Sequence, residues 1–365
     1  MITRRRMNLG LGSLVLLAFD GPAVAQEKKK FLVANPNGAI DATQCFSTCG
    51  HEPRLGYYAM EGIQREQLSV NSLSQGMVAI AQGQVDAGSV VPALFLPALA
   101  KEPNFGVIAV YNWVPRSTSV IVVPAESDIK SIADLAGKRI GIRNQGDGSS
   151  AIIQTAFADL GLKPDYQLIA IGDIGMAGNA LQRKSVDAMV AYDTITGRIE
   201  ALGLALRYLP MTESFTKGSA TWYGIRKKDL KENRKSVVSF LRGTAKSTLF
   251  AHHNLNAAIK LHWLVYPESK PKTKSVDEAL QELQIIMKGR RNAWVRRADD
   301  PEQRLGATSP EDWTAALHSA VIGTNNPELA KQFGDGSGAF TNELLDEVNN
   351  FDKAAIIKQA KEFEI

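Results

Sequence analysis

The chain has 365 residues, 44% of them hydrophobic and 22% charged, with a formal net charge of +4 at pH 7. That composition excludes a disordered chain, and the length favours two domains over one core. The charge is too close to neutral to supply the basic stripe that nucleic-acid binding needs.

The first 25 residues stand apart. Arg4, Arg5 and Arg6 make a basic start, residues 9–19 a short apolar core, and Ala23, Val24 and Ala25 a small-residue site for cleavage before Gln26. Thr3-Arg4-Arg5 partly matches a twin-arginine export signal. The apolar run is too short for a membrane span. Removing this leader takes three Arg and one Asp, leaving 340 residues at +2. A mature protein soluble outside the cytoplasm, in the periplasm, is expected. Its only cysteines, Cys45 and Cys49, are four apart. In an oxidising compartment a disulfide between them is an option, while a zinc site lacks its Cys/His quartet. No metal or cofactor is expected.

In chain order, residues 31–35 read as a strand and 35–41 as a polar loop, followed by a helix over 47–60. A strand at 67–72, a helix from Ser74 or Gln75 to Gly83, a strand at 85–91, a helix over 92–101 and a strand at 106–113 come next. Strands alternating with helices of about ten residues indicate βαβ units and a largely parallel sheet. The apolar run 117–124 carries the chain into a second lobe, with 132–136 ahead of the next unit. In that unit Arg139-Ile-Gly-Ile-Arg143 is a buried strand and 144–150 a Gly-rich turn; a helix over 151–160 follows with Ile152, Ile153, Ala156, Phe157 and Leu160 on one face, stopped by Gly161. Such a strand–turn–helix aims unpaired N–H groups and a helix dipole at one point, which suits an anion or a carbonyl oxygen. A strand at 167–171, a helix over 175–182, a strand at 187–192 and a helix from Asp193 through Ile195, Ile199 and Leu202 complete the lobe. Residues 220–225 return as a strand.

One repeat lifts this above a generic α/β pattern. AIAQGQVDA at 79–87 is echoed by ALQRKSVDA at 180–188, each a helix end, a turn and a strand start. Two lobes of like topology are expected. Beyond residue 227 the chain becomes helical, with apolar faces at Val237, Val238, Leu241, Ala245, Leu249 and again at Val276, Ala279, Leu280, Leu283, Ile286, Met287, separated by a loop at 267–274. Arg290, Arg291, Arg296 and Arg297 read as a solvated basic face, and His252-His253 as surface or packing residues. No hydrolase nucleophile elbow, Walker phosphate loop or His-Glu-x-x-His motif occurs in the sequence. In open α/β sheets ligands bind outside the C-terminal ends of the strands.

GYYAMEGI at 56–63, AQGQVDA at 81–87, IKSIADLAGKRI at 129–140 and Gly148-Ser149-Ser150 carry a family resemblance, which continues through 187–193, 229–241 and 261–267. With these words the chain resembles the periplasmic substrate-binding proteins of ABC transporters for nitrate, sulfonates, taurine and thiamine-pyrimidine precursors, most strongly over 54–250. The resemblance implies a type II periplasmic-binding fold: two α/β lobes joined by a two-segment hinge, with a C-terminal helical extension. Lobe one takes 26–116 with 218–365, and lobe two 117–217. It implies a ligand closed between lobes by hinge motion, an ABC permease as partner, a monomer, and no enzymatic step. Carried over residue by residue, Asn37 and Thr48 fall in the variable first loop, Gln75 and Gly76 at the first-lobe helix start, and Ser89 at a strand end. Gly148, Ser149 and Ser150 form the second-lobe helix start, Tyr192 and Asp193 a second strand end, and Trp113 and Trp222 flank the hinges. Asp193 would repel a dianion unless Arg143 or Arg116 paired with it. Each Trp could cover a planar ligand or pack the core. The insertion 35–56 has no family pattern. Two alternatives remain open: a pyrimidine-precursor enzyme on the same fold, disfavoured by the leader and by the lone Cys pair, and a ligand-sensing module of a membrane receptor.

Overall fold

The computed structural model describes residues 28–36, 40–102, 104–143, 148–172, 174–218, 221–296, 300 and 302–365. The expected leader and Asn37 lie outside them. Among the described residues ten strands run β1 Lys29–Asn35, β2 Ile63–Ser69, β3 Ala87–Val90, β4 Val107–Val114, β5 Ser119–Pro124, β6 Lys138–Ile142, β7 Tyr166–Ala170, β8 Ala188–Tyr192, β9 Leu206–Tyr208 and β10 Thr221–Arg226. They form two five-stranded sheets, β2-β1-β3-β10-β4 and β7-β6-β8-β5-β9. In the first, β1 pairs in parallel with β2 and β3, and β10 runs antiparallel between β3 and β4. In the second, β6 pairs in parallel with β7 and β8, and β5 runs antiparallel between β8 and β9. The two orders are the same order.

The repeated Val-Asp-Ala explains why. In sheet one the Asp86 backbone N–H donates to the Leu32 carbonyl at 2.8 Å, and its carboxylate accepts from the Leu32 N–H at 2.8 Å. In sheet two Asp187 repeats both bonds with Arg139, at 2.8 and 2.9 Å. Each aspartate therefore splices the start of the third strand of its lobe onto the first, satisfying backbone groups just ahead of the ladder. Arg139 adds its guanidinium to Asp187 at 2.8 Å, which holds that carboxyl below its ordinary range. Ahead of each aspartate the chain leaves its helix through a left-handed residue: Gly83 at φ +74°, but Lys184 at φ +54°.

Sheet one is covered on one face by the helix Arg234–His253, whose Phe240, Leu241, Ala245 and Leu249 are fully buried, with Phe240 stacked on Phe31 at 4.6 Å. Leu73–Ala81 and Pro92–Lys101 supply Ile80, Phe95 and Leu96 to the other face. In lobe two Ile153, Ala156 and Phe157 of the helix Ser149–Asp159 are likewise buried against the sheet.

Two expectations need correction. The helix over 47–60 is two short ones, Cys45–Thr48 and Tyr57–Met60, because Pro53 lacks the N–H that a continuous helix needs and Gly56 is left-handed at φ +60°. The second strand begins four residues early, at Ile63; its inward positions are Ile63 and Arg65, and a charged residue there hides the alternation. Among the described residues no helix is long and apolar enough to cross a membrane.

The last third of the chain ties the lobes together. Val276–Ala293 crosses Asp193–Ala201 of lobe two so closely that a Cβ on Gly197 would lie 2.8 Å from the Ile286 Cα. Pro310–Thr324 packs against Pro92–Lys101 of lobe one and Ser149–Asp159 of lobe two, with the Gly323 backbone against Ala151.

Because a non-glycine residue pays for the left-handed conformation, Lys184→Gly is expected to raise unfolding free energy by about 1 kcal/mol in urea titration. Gly83→Ala is expected to lower it, since the new Cβ would also meet the Arg226 guanidinium at 2.1 Å.

Candidate functional site

The C-terminal ends of β3 and β8 and the start of the Ser149–Asp159 helix converge on a cavity of about 90 Å³. From lobe one it takes Val91, Pro92 and Ala93; from the approach to β5 and its first residue, Ser117 and Ser119; from lobe two, Gly148, Ala151, Ile152 and Tyr192; from Pro310–Thr324, Ala315, Ala316 and Ser319. Ser214, Phe215 and Gly218 close it. The described lining is apolar and hydroxyl-bearing, without a charged side chain. Gly148 caps its helix at φ +86° with no side-chain cap, so the first-turn N–H groups are not taken up by a cap. A Cβ there would stand 3.3 Å from the Tyr192 hydroxyl, so the two sides meet closely.

Of the residues expected at the site, Gly148 and Tyr192 line this cavity. Ser149 is fully buried just behind Gly148, and Ser150 is half-buried beside it. The others are used elsewhere. Gln75 is exposed, and its side-chain oxygen accepts from the Asn71 N–H; Gly76 is buried against Val70 and Ala34. Ser89 pairs with Tyr223 across the ladder. Trp222 is buried, donating from Nε1 to Thr308 Oγ1 at 2.7 Å, and Trp113 stacks on Phe46 at 4.7 Å and Tyr223 at 5.6 Å. Both tryptophans therefore pack lobe one rather than cover a ligand.

Asp193 is paired, but neither with Arg143 nor with Arg116. Arg290, from Val276–Ala293, donates to it through Nη2 at 2.7 Å and Nε at 3.1 Å. Arg116 instead donates to the Arg296 carbonyl. The basic cluster is thus no solvated face: Arg290 holds Asp193, Arg291 donates to the His252 carbonyl, and Arg296 pairs with the buried Asp312. Arg297 lies outside the described residues. Arg290 is the partner of Asp193 that pattern reading misses, because nothing local links position 290 to position 193. Further ties between the lobes join Arg198 to Asp41 at 2.8 Å and His318 to Asp159 at 2.7 Å.

Cys45 and Cys49 are free thiols, both fully buried, and Cys49 Sγ donates to the Ser247 carbonyl. Side chains one helical turn apart keep Cβ atoms roughly 5–6 Å from each other, beyond the reach of a disulfide. Burial pushes both thiols far above their ordinary pKa. Thr48 is buried in the same region, its Oγ1 2.7 Å from His262 Nδ1. Burial pulls His262 down to about 4; it also pulls His51 down to about 3, with the Arg65 charge adding to both shifts.

A family model described as NMT1/THI5 like matches residues 51–258, more than half of the chain. The chain belongs to the NMT1/THI5-like family. Known structures with this fold include a protein of Bordetella bronchiseptica RB50, at TM-score 0.61 and 17% identity, covering 88% of this chain and 98% of that one. They also include the periplasmic aliphatic sulphonate binding protein SsuA of Escherichia coli, at 0.53 and 17% over 76% and 95%, and the alkanesulfonate-binding protein SsuA of Xanthomonas axonopodis pv. citri bound to MOPS, at 0.54 and 17% over 90% and 98%. These likenesses fix the fold: two α/β lobes of the periplasmic-binding type. A Brucella abortus (strain 2308) protein provisionally named a binding protein is 32% identical over 123 residues, 33% of this chain and 36% of its own length. The matched segment therefore spans about a third of that relative. The relatives are named as binding proteins rather than as enzymes.

Two outcomes test the site. Arg290→Met leaves a mostly buried carboxylate unpaired and is expected to cost about 3 kcal/mol, while the double variant with Asp193→Asn costs less than the two singles summed; denaturant titration of all four proteins gives the coupling. The second concerns pH. His51 and His262 stay neutral when folded, whereas in the unfolded chain they charge below about pH 6.5. Unfolding free energy is therefore full above that pH and declines as pH falls toward about 4. Urea titrations across this window are expected to show that decline, made shallower by His262→Gln.

Proposed function

We propose that this chain is the periplasmic solute-binding component of an ABC importer, capturing one small organic molecule between its lobes and presenting it to a membrane permease. The observation that carries the reading is the cavity, hydroxyl-lined and uncharged among the described residues, where strand ends and a helix N-terminus from facing lobes converge. The export leader expected over 1–25, the family membership and the sulfonate-binding proteins that share the fold all support it. In this reading lobe one comprises 26–116 with 218–365 and lobe two 117–217; the chain acts as a monomer that leaves both lobes free to dock.

The ligand class follows from charge. Arg290 pairs with Asp193, which removes that carboxylate's repulsion of an anion, and the described lining residues of the cavity carry no charged side chain for a dianion. A neutral or singly charged polar solute fits: a small sulfonate, nitrate, a carboxylate or a pyrimidine-type amide, its polar end toward the helix start at Gly148 and its apolar part against Pro92, Ala151 and Ala315. The ligand stabilises the closed arrangement through contacts made from both lobes at once.

The test is a thermal-shift screen of residues 26–365 against alkyl sulfonates, nitrate, aromatic carboxylates, amides and pyrimidines. A true ligand at a hundred times its dissociation constant is expected to add about 2.7 kcal/mol. Gly148→Val, which places a branched side chain against Tyr192, is expected to abolish the shift while leaving far-UV circular dichroism intact. A panel without any shift, or a shift indifferent to Gly148→Val, overturns this reading.

A further inference from the structure

Arg65 occupies an inward position of β2, where the alternation Ile63–Gln64–Arg65 calls for an apolar side chain. It is 6% exposed, inside the core of lobe one and away from the inter-lobe cavity. Its Nη2 donates to Ser47 Oγ at 3.3 Å, its Cζ lies 5.6 Å over the Tyr58 ring, and the Tyr223 hydroxyl sits against it and Ser47. Nε and Nη1 are buried without a hydrogen-bond partner, and no carboxylate pairs with the guanidinium among the described residues. An arginine cannot escape such a place by losing its proton. A buried charge of this kind is matched by a counter-charge.

We propose that lobe one holds a second, fully internal site for a single monovalent inorganic anion of the chloride class, bound at Arg65. The neighbouring side chains are consistent with one negative charge and no more. His262 is fully buried next to this region and its Nε2 has no partner; it presents an N–H there in the tautomer in which Thr48 Oγ1 donates to Nδ1 rather than to the Gln44 carbonyl 3.1 Å away. Burial lowers the pKa of the His51 and His262 imidazoles, so among these described neighbours the guanidinium is the positive charge. Asp41, the acid acting on His262, is already bonded to Thr43 and Arg198. A sulfate or phosphate would bring a second negative charge that nothing here offsets. Internal water alone would leave the guanidinium uncompensated.

The test uses the mature chain refolded and crystallised in sodium bromide instead of chloride, with diffraction recorded at the bromine edge. An anomalous peak in contact with Arg65 is expected; its absence, or ordinary water density there, overturns the proposal. In solution, the folding equilibrium constant of the unaltered protein should rise about tenfold for each tenfold rise in chloride above its dissociation constant, at ionic strength held constant with gluconate. Arg65→Met, similar in length and uncharged, should lose that dependence, and Arg65→Lys, which keeps the charge, should retain part of it. A chloride dependence equal in Arg65→Met and the unaltered chain would also overturn the proposal. None of these readouts involves the inter-lobe ligand, so failure here is separable from failure of the transport reading.

Discussion

The ion pair between Arg290 and Asp193 is the joint on which the rest of this structure turns. It lies where a strand of lobe two ends and its next helix begins, yet half of it comes from a helix that belongs to the far end of the chain. Exposed, such a pair would contribute little. Here both side chains are mostly buried, and either one alone would be an uncompensated charge at a lobe boundary. The helix that carries Arg290 is held in place by contact without side chains, with Gly197 admitting the backbone at Ile286. Electrostatics and backbone approach thus specify the same docking.

The architecture was legible because it rests on local signals repeated in order. Residues 92–101 show this at its simplest: Pro92 at the first position, apolar spacing and a basic last turn give a helix whose limits match the structure. The Val-Asp-Ala echo was readable for a deeper reason. Its aspartates make the same pair of bonds in both sheets, so the duplicated word has a duplicated job.

The site was only half legible. That Gly148 and Tyr192 line the cavity is legible because a glycine before a helix and an aromatic residue at a strand end are signals within a few residues. Trp113 and Trp222 carry no mark that separates a ligand face from packing, and the structure spends both on lobe one. Arg290 reads as a solvated residue because its partner is 97 positions away, and pairings of that kind are properties of the folded chain. The 47–60 segment is not one helix because a single proline and a left-handed glycine outweigh the apolar spacing around them.

The position of β10 governs the order in which this molecule can be made. Sheet two draws all its strands from one stretch, 119–208, so every contact it needs lies within ninety residues. Sheet one is open at its centre until 221–226 slots between β3 and β4. A chain leaving the ribosome therefore completes the inserted lobe first, and the lobe it started earlier waits with two strand edges unpaired. During that interval the first sheet has no continuous ladder, so lobe one stays open and extensible while lobe two is already closed.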